Sequence, residues 1–351
     1  MATKQSLTEL LEKFRESAAE GRPCVLYAKP EEDTVTGLFQ RTADQHAEFG
    51  SSDSGFVFES FSGEKRIFIP VAISDTFSAP IAEVPESHQP AEFSSSGKEH
   101  FMHLAEEAIA SIKSGKSEKI VISRREVHSY EFGLEDAFCR LLVKYKTAFR
   151  YLLFHPESGI WMGATPERLI KIQNGEFSIM SLAGTQPKSA EPYVWGRKER
   201  EEQQYVTDYI VDAVKPFADC IHVTPVRTEF AGNIVHLRSD ITGKFVLDDL
   251  LSLVKALHPT PAICGLPRES ALEFLRAHEG YDREFYSGFL GELNMTEETS
   301  TAADLYVNLR CLKVDGPSVT FFIGCGITAD SVPEKEYEET VNKSMTLKTI
   351  L

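Results

Sequence analysis

Cysteine is sparse in this chain and never clustered. Six cysteines in 351 residues (Cys24, Cys139, Cys220, Cys264, Cys311 and Cys325) form no CxxC pair, which disfavours a disulfide scaffold or a zinc site and suits reduced, mostly buried thiols in a cytoplasm. Positive charge is also short: 37 Lys and Arg against 53 Asp and Glu give a net charge of −16. That excludes a nucleic-acid partner, because phosphates call for basic patches. An anionic substrate would therefore need local Arg, Lys or metal. No apolar run approaches the ~18 residues of a membrane span, so no membrane association is expected. The start, MATKQSLTELLEKF, has no apolar secretory core and reads as an amphipathic helix. GxSxG and strand–GxGxxG–helix patterns are missing, as are internal repeats. What remains is a protein expected in the cytoplasm, with the size of an enzyme.

Apolar runs and turn signals supply the organisation. Short runs (CVLYA, TGLFQ, GFVFES, RIFIPVAI) between Pro23 and Val71 read as a meander of strands. The Pro- and Ser-rich stretch from Ser74 to Gly97 is the best linker candidate. It divides an N-terminal strand and helix part, residues 1–90, from a core at 91–351, both within one domain. Beyond it, strands and helices alternate without a regular βαβ beat. That favours an α+β sandwich with largely antiparallel sheets over a doubly wound fold.

The C-terminal run FFIGCGITADSVPEKEYEETVNK carries the densest chemistry. An apolar strand ends in Gly324-Cys325-Gly326, where bare backbone lets a ligand approach. Glu336 and Glu339 follow on one helix face; alternatively, Glu339 simply pairs with Lys343 at i,i+4. Lys119 leads the strand KIVIS with Val121 and Ser123 on its face. It either snorkels to solvent or sits in a closed cleft, where desolvation favours a usable base. Glu167, in GATPERL, either caps a short helix after Pro166 or presents a carboxyl at a strand end as a general acid. Glu202 belongs to an acidic helix start that suits the helix dipole, and with Glu336 and Glu339 it offers hard oxygens for Mg²⁺. FYSGFLGEL and DLYVNLRCLKV read as strands, and Arg310, a charge inside the second, needs an anionic partner, from the protein or from a ligand. Gly184 and Thr185 add backbone donors. His258 opens HPTPAICG at the C-terminal end of a helix.

Eight motifs in this order, SEKIVISR, GATPERL, SLAGTQP, KEREEQQYV, HPTPAICGLP, FYSGFLGEL, YVNLR and FIGCGITADSVPEKEYEETVNK, closely resemble the chorismate-utilising enzyme family, isochorismate synthases above all. The resemblance implies two large antiparallel sheets with helices outside and a cleft that takes chorismate with Mg²⁺. It assigns Lys119 as general base, Glu167 as general acid, and Glu202 and Glu339 as metal carboxylates, with Glu336 as a further metal residue, bound directly or through water. Gly184, Thr185, His258, Arg310 and Gly324 fall on substrate-binding positions. The implied activity is isomerisation of chorismate to isochorismate. Ammonia-using relatives have no lysine at the position of Lys119, so no glutaminase subunit is expected, and a monomer is. Salicylate synthases, which add pyruvate elimination, are the nearest rival; HPTPA is typical of isochorismate synthases. A non-catalytic binding relative would be expected to have lost one of Lys119, Glu167, Glu202 or Glu339.

Overall fold

The computed structural model describes residues 3–50, 52–81, 91, 93, 95–129, 132–187, 192–231, 234–246, 249–295 and 301–351. Two sheets organise them. The first runs in the order β1 (Thr3–Lys4), β6 (Ser74–Pro80), β3 (Thr34–Gln40), β2 (Cys24–Ala28), β8 (Phe149–His155), β9 (Gly159–Thr165), β18 (Cys311–Asp315), β19 (Ser318–Ile327), β7 (Lys119–Ser129) and β15 (Gly265–Leu266). The second runs β12 (Ala218–Val223), β14 (Ile234–Phe245), β11 (Glu176–Pro187), β10 (Arg168–Gln173), β17 (Ala303–Val307), β16 (Phe289–Leu293), β4 (Gly55–Glu59) and β5 (Arg66–Pro70), with β13 (Arg227–Ala231) also on β14. Every described pairing is antiparallel except β1 with β6. This is the expected α+β sandwich.

The strand sequences explain the layering. In β2, Val25 and Tyr27 enter an aromatic core between the sheets, whereas Cys24, Leu26 and Ala28 face an outer core. Phe56 and Phe58 of β4 meet them from the second sheet, and Val57 points outward. Both faces are buried, which is why CVLYA and GFVFE read as continuous apolar runs rather than alternating ones. Helices cover the outer faces. Helix α1 (Leu7–Ala19) begins with a Ser6–Glu9 capping box and packs with α3 (Leu134–Lys144) on the first sheet. Helices α2 (Lys98–Lys113), α6 (Arg268–His278) and α7 (Pro333–Lys348) cover its β7–β19 end, and α4 (Arg197–Val214) and α5 (Leu250–Leu257) cover the second sheet.

Three features differ from the sequence reading. The first part of the supposed linker is strand β6, paired with β3 over seven residues; polar alternation at a sheet edge mimics a loop. Most of the remainder, with the 90/91 boundary, lies outside the described residues. The N-terminal runs are not one meander, because β2–β3 and β4–β5 belong to different sheets. Finally, DLYVNLRCLKV is not one strand. It leaves the second sheet after Val307 and joins the first at Cys311. Asn308, fully buried, fixes the break by accepting from Tyr151 Oη at 2.6 Å and donating to the Phe285 carbonyl at 2.8 Å.

Candidate active site

The chain crosses between the sheets twice at neighbouring places, and each crossing carries a predicted residue. Strand β9 ends at Thr165 in the first sheet and β10 begins at Arg168 in the second, which puts Glu167 in the crossing. The return from β17 to β18 holds Arg310 at a left-handed φ of 47°. Backbone bonds lace the crossings together: Val307 N donates to the Glu167 carbonyl at 2.9 Å, and Ala164 N to the Arg310 carbonyl at 3.1 Å. Thus Glu167 caps no helix, and Arg310 lies in no strand.

These crossings form the floor of a cleft of about 230 Å³. Lys119, Glu167, Gly184, Glu202, Arg310, Gly324, Glu336 and Glu339 all line it. The ten residues predicted from the sequence therefore converge with two exceptions. The side chain of Thr185 lies outside the described residues, and its backbone pairs with His236. His258 does not line the cleft; its buried ring packs edge-on against Phe289 and Phe61, and burial lowers it to about 4. Ala262 and Ile263 of the same motif do reach the cleft wall. A larger groove, about 580 Å³, lined by Glu118, Asp212 and Arg268 among others, contains none of the predicted residues.

Local structure explains each placement. Alternation along β7 turns Lys119 and Val121 to the cleft and Ile120 and Ile122 into the core under α2. The two glycines of GCG line the cleft and also leave room for neighbouring side chains. A Cβ on Gly326 would lie 2.8 Å from Lys119 Cε, and one on Gly324 would lie 2.7 Å from Tyr286 Oη. Gly184 sits at φ 70° in a β-bulge, hard against Glu199 of α4. On α4, Glu199 and Glu202 share the cleft face, whereas Glu201 pairs outward with Arg197 at 2.6 Å. Buried Arg283 ties two walls together by donating to the Val121 and Ile263 carbonyls at 2.6 and 3.0 Å. Glu279 holds that guanidinium and also accepts from Ser123 N and Oγ.

The electrostatics separate the carboxyls. Burial raises Glu167 to about 7, against the opposing pull of Lys119, Arg310 and Lys343. Burial also works against ionising Glu339, but Lys343, hydrogen-bonded at 2.6 Å, with Arg310 and His236, holds it below the usual carboxylate range. The i,i+4 pairing of Glu339 with Lys343 is therefore real, and it lies in the cleft rather than in solvent. Burial lowers Arg310 as well. Among the described residues no carboxylate comes within ion-pair distance of its guanidinium, although Glu339 and Glu167 act on it through space, so its hydrogen-bonding edge is left to the cavity.

Three cleft residues escaped the sequence reading. Lys343 was seen only as a partner for Glu339, yet it also donates to the Gly324 carbonyl at 3.0 Å. Tyr286 lay in a run read as strand. His236, in β14, interacts with the Gly184 carbonyl through Nδ1 at 3.2 Å. Burial, aided by Lys343 and Arg310, lowers it to about 4 despite that bond. Strand alternation could have set His236 and Arg238 apart from Val235 and Leu237, but no signal in IVHLRSD pointed toward the cleft.

A sequence profile described as "Chorismate binding enzyme" matches residues 72–351. The salicylate biosynthesis isochorismate synthase of Pseudomonas aeruginosa is 30% identical over 258 residues, which cover 70% of this chain and 53% of that protein. The aligned region is thus about half the length of that relative. The isochorismate synthase MenF of Escherichia coli is 26% identical over 86% of this chain and 70% of its own. Among solved structures, DhbC from Bacillus anthracis superposes with a TM-score of 0.79 at 22% identity, covering 98% of this chain and 99% of that one. The menaquinone-specific isochorismate synthase MenF from Escherichia coli gives 0.79 at 19% identity, covering 95% and 89%. With four-fifths of its length matched by the profile and its sheets, crossings and cleft in the same fold, this chain belongs to the chorismate binding enzyme family.

Proposed function

We propose that the protein is an isochorismate synthase, which isomerises chorismate to isochorismate. The observation that carries the reading is Glu167: a carboxyl raised to about 7 in the same cleft as Lys119 and Arg310, whose guanidinium has no direct ion pair among the described residues. An acid that keeps its proton near neutrality, a base, and a cation for a substrate carboxylate are the parts this isomerisation needs. Lys119 accepts a proton from water as that water bonds to C2 of the ring. The ring double bonds shift, and the C4 hydroxyl departs as water with the proton of Glu167. One water enters and one leaves, and passing the proton from Lys119 back to Glu167 resets the pair. Arg310 holds a substrate carboxylate, flanked by the Gly324 and Gly184 walls.

The donor set also fits Mg²⁺. Among the described residues no three acidic, His or Cys side chains gather closely enough to cage a metal. Magnesium, however, is usually held by one or two carboxylates, with waters and substrate oxygens completing its shell. Glu202 and Glu339 supply hard oxygens on facing helices, with Glu336 one turn before Glu339. When bound there, the ion offsets repulsion between a dianionic substrate and an acidic protein.

A proton NMR time course with chorismate and Mg²⁺ tests the reading. Isochorismate signals building to a steady mixture, and abolished by EDTA, are the expected result. Salicylate appearing with pyruvate would make the protein a salicylate synthase, and undiminished turnover in chelator would remove the metal.

The glycine beside the base gives a second check. Gly326→Ala places its methyl against the flexible end of Lys119, which can move, so the fold is expected to survive. Displacing the amine by about 1 Å is expected to lower kcat by roughly 10- to 100-fold. Turnover together with a thermal melt checks this, and wild-type turnover would mean that Lys119 is not the base.

A further inference from the structure

Next to the main cleft, and sharing Glu167, Leu182 and Ala262 with it, is a second and much smaller cavity of about 10 Å³, roughly the room one water needs. Its walls are mostly apolar, from Ile179, Val206 and Ile210, and three polar residues border it: Glu167, Thr260 and Arg168, whose guanidinium is already bonded to Asp304 and Tyr306. Thr260 is 5% exposed, and its Oγ1 is buried without a hydrogen-bond partner among the described residues. The Thr260 backbone is fixed, because its carbonyl accepts from Ile263 N and Cys264 N at 3.1 and 3.0 Å. In the same wall, the register break between Arg168 and Ile170 leaves Leu169 out of the ladder with β17. A buried hydroxyl and a carboxyl around a one-water space are the surroundings in which buried waters are held.

We propose that Thr260 is a positioning residue for Glu167, acting through a single buried water held between its hydroxyl and the carboxyl. The proposal rests on the reading of Glu167 as the general acid. The water accepts a hydrogen bond from the Thr260 hydroxyl and donates one to one oxygen of Glu167, which leaves the other oxygen to carry the proton. Donation to the ionised carboxyl also favours its charged form. Removing the hydroxyl makes the cavity apolar and dry, frees the carboxyl to rotate and holds its proton more tightly.

The test compares Thr260→Val, which keeps the shape, with Thr260→Ser, which keeps the hydroxyl. Thr260→Val is expected to lower kcat about five- to tenfold with KM within about twofold, and to move the alkaline limb of the pH–rate profile upward. Thr260→Ser is expected to restore most of the loss. A carbon-13 titration of the Glu167 carboxyl in the ligand-free variants reads the same upward shift without turnover. Wild-type kcat and titration in Thr260→Val would overturn the proposal, as would a serine variant as impaired as the valine one, which would assign the effect to packing. Glu167→Gln in parallel separates the two readings. If it is inactive while Thr260→Val is normal, only the Thr260 role falls; if it turns over normally, the acid assignment falls first.

Discussion

Glu167→Gln is expected to lower kcat by about 10²- to 10⁴-fold, the usual contribution of general acid catalysis, while chorismate binding in the presence of Mg²⁺ persists. Lys119→Gln is expected to fall in the same range, because the two groups serve opposite ends of one displacement. In the wild-type enzyme the acid must carry its proton, so kcat/KM should decline as pH rises through about 7, the value to which burial lifts Glu167. That alkaline limb should be missing from the residual activity of Glu167→Gln. The same burial has a stability cost. A carboxyl raised from 4.5 to about 7 keeps its proton in the folded protein after the unfolded chain has released it. The Glu167 contribution to folding stability is therefore undiminished below pH 4.5 and falls as pH rises toward 7. Glu167→Gln removes that penalty, so the inactive variant should melt above wild type at pH 8, with the difference narrowing toward pH 4.5. Calorimetry for binding, turnover by NMR and melts at several pH values separate these effects. A fully active variant, or one that melts lower at pH 8 than at pH 4.5 in parallel with wild type, would show that Glu167 is not the buried acid.

The set of residues that lines the cleft was legible because the ordered motifs that carry the family resemblance point to them position by position. Lys119, Glu167, Glu202 and Glu339 each keep their identity whatever the chain does around them, and strand alternation correctly turned Lys119 and Val121 to one side. The geometry that joins them was not legible, because it depends on where the chain changes sheets. YVNLRCLKV is apolar enough throughout to read as one strand. The break is made by Asn308 bonding to Phe285 and Tyr151, residues distant in sequence. Likewise GCG reads as ligand-accessible backbone, but nothing local shows that Lys119 and Tyr286 also need the space beside it. Lys343 was hidden by a sound local rule: the i,i+4 pair with Glu339 exists, but only tertiary packing puts it inside the cleft. His258 failed in the opposite sense, since a helix-end histidine beside the site turned out to be packing against Phe61 and Phe289.

A second large effect is expected away from the cleft, at Glu126. This carboxylate is 0% exposed and lies between two cations that are each 4% exposed, Arg124 of the same strand and Lys348 of α7. Arg124 Nη1 and Lys348 Nζ each approach it to 2.5 Å, and Arg124 Nε donates to Thr340 Oγ1 of α7 at 2.7 Å. The group clamps α7, with Glu336, Glu339 and Lys343, onto β7, whose first residue is Lys119. Glu126→Gln leaves two buried cations without their counter-charge, which costs about 3–5 kcal/mol and lowers Tm on the order of 10 °C. Burial opposes ionisation of Glu126, but hydrogen bonds and charge from Lys348 and Arg124 outweigh it and hold the carboxyl below its usual value. The clamp therefore contributes fully above about pH 4.5 and is lost as pH falls through the depressed folded value. The gap in Tm between wild type and Glu126→Gln should accordingly be wide at pH 7 and should close in acid. Replacing all three charges with apolar residues of similar volume should recover much of the loss, because the penalty comes from the unpaired cations rather than from the absence of a salt bridge. If the single variant melted within about 1 °C of wild type at pH 7, the three charges would not be acting as one unit, and α7 would have to be held by its apolar contacts through Tyr337 and Leu347 alone.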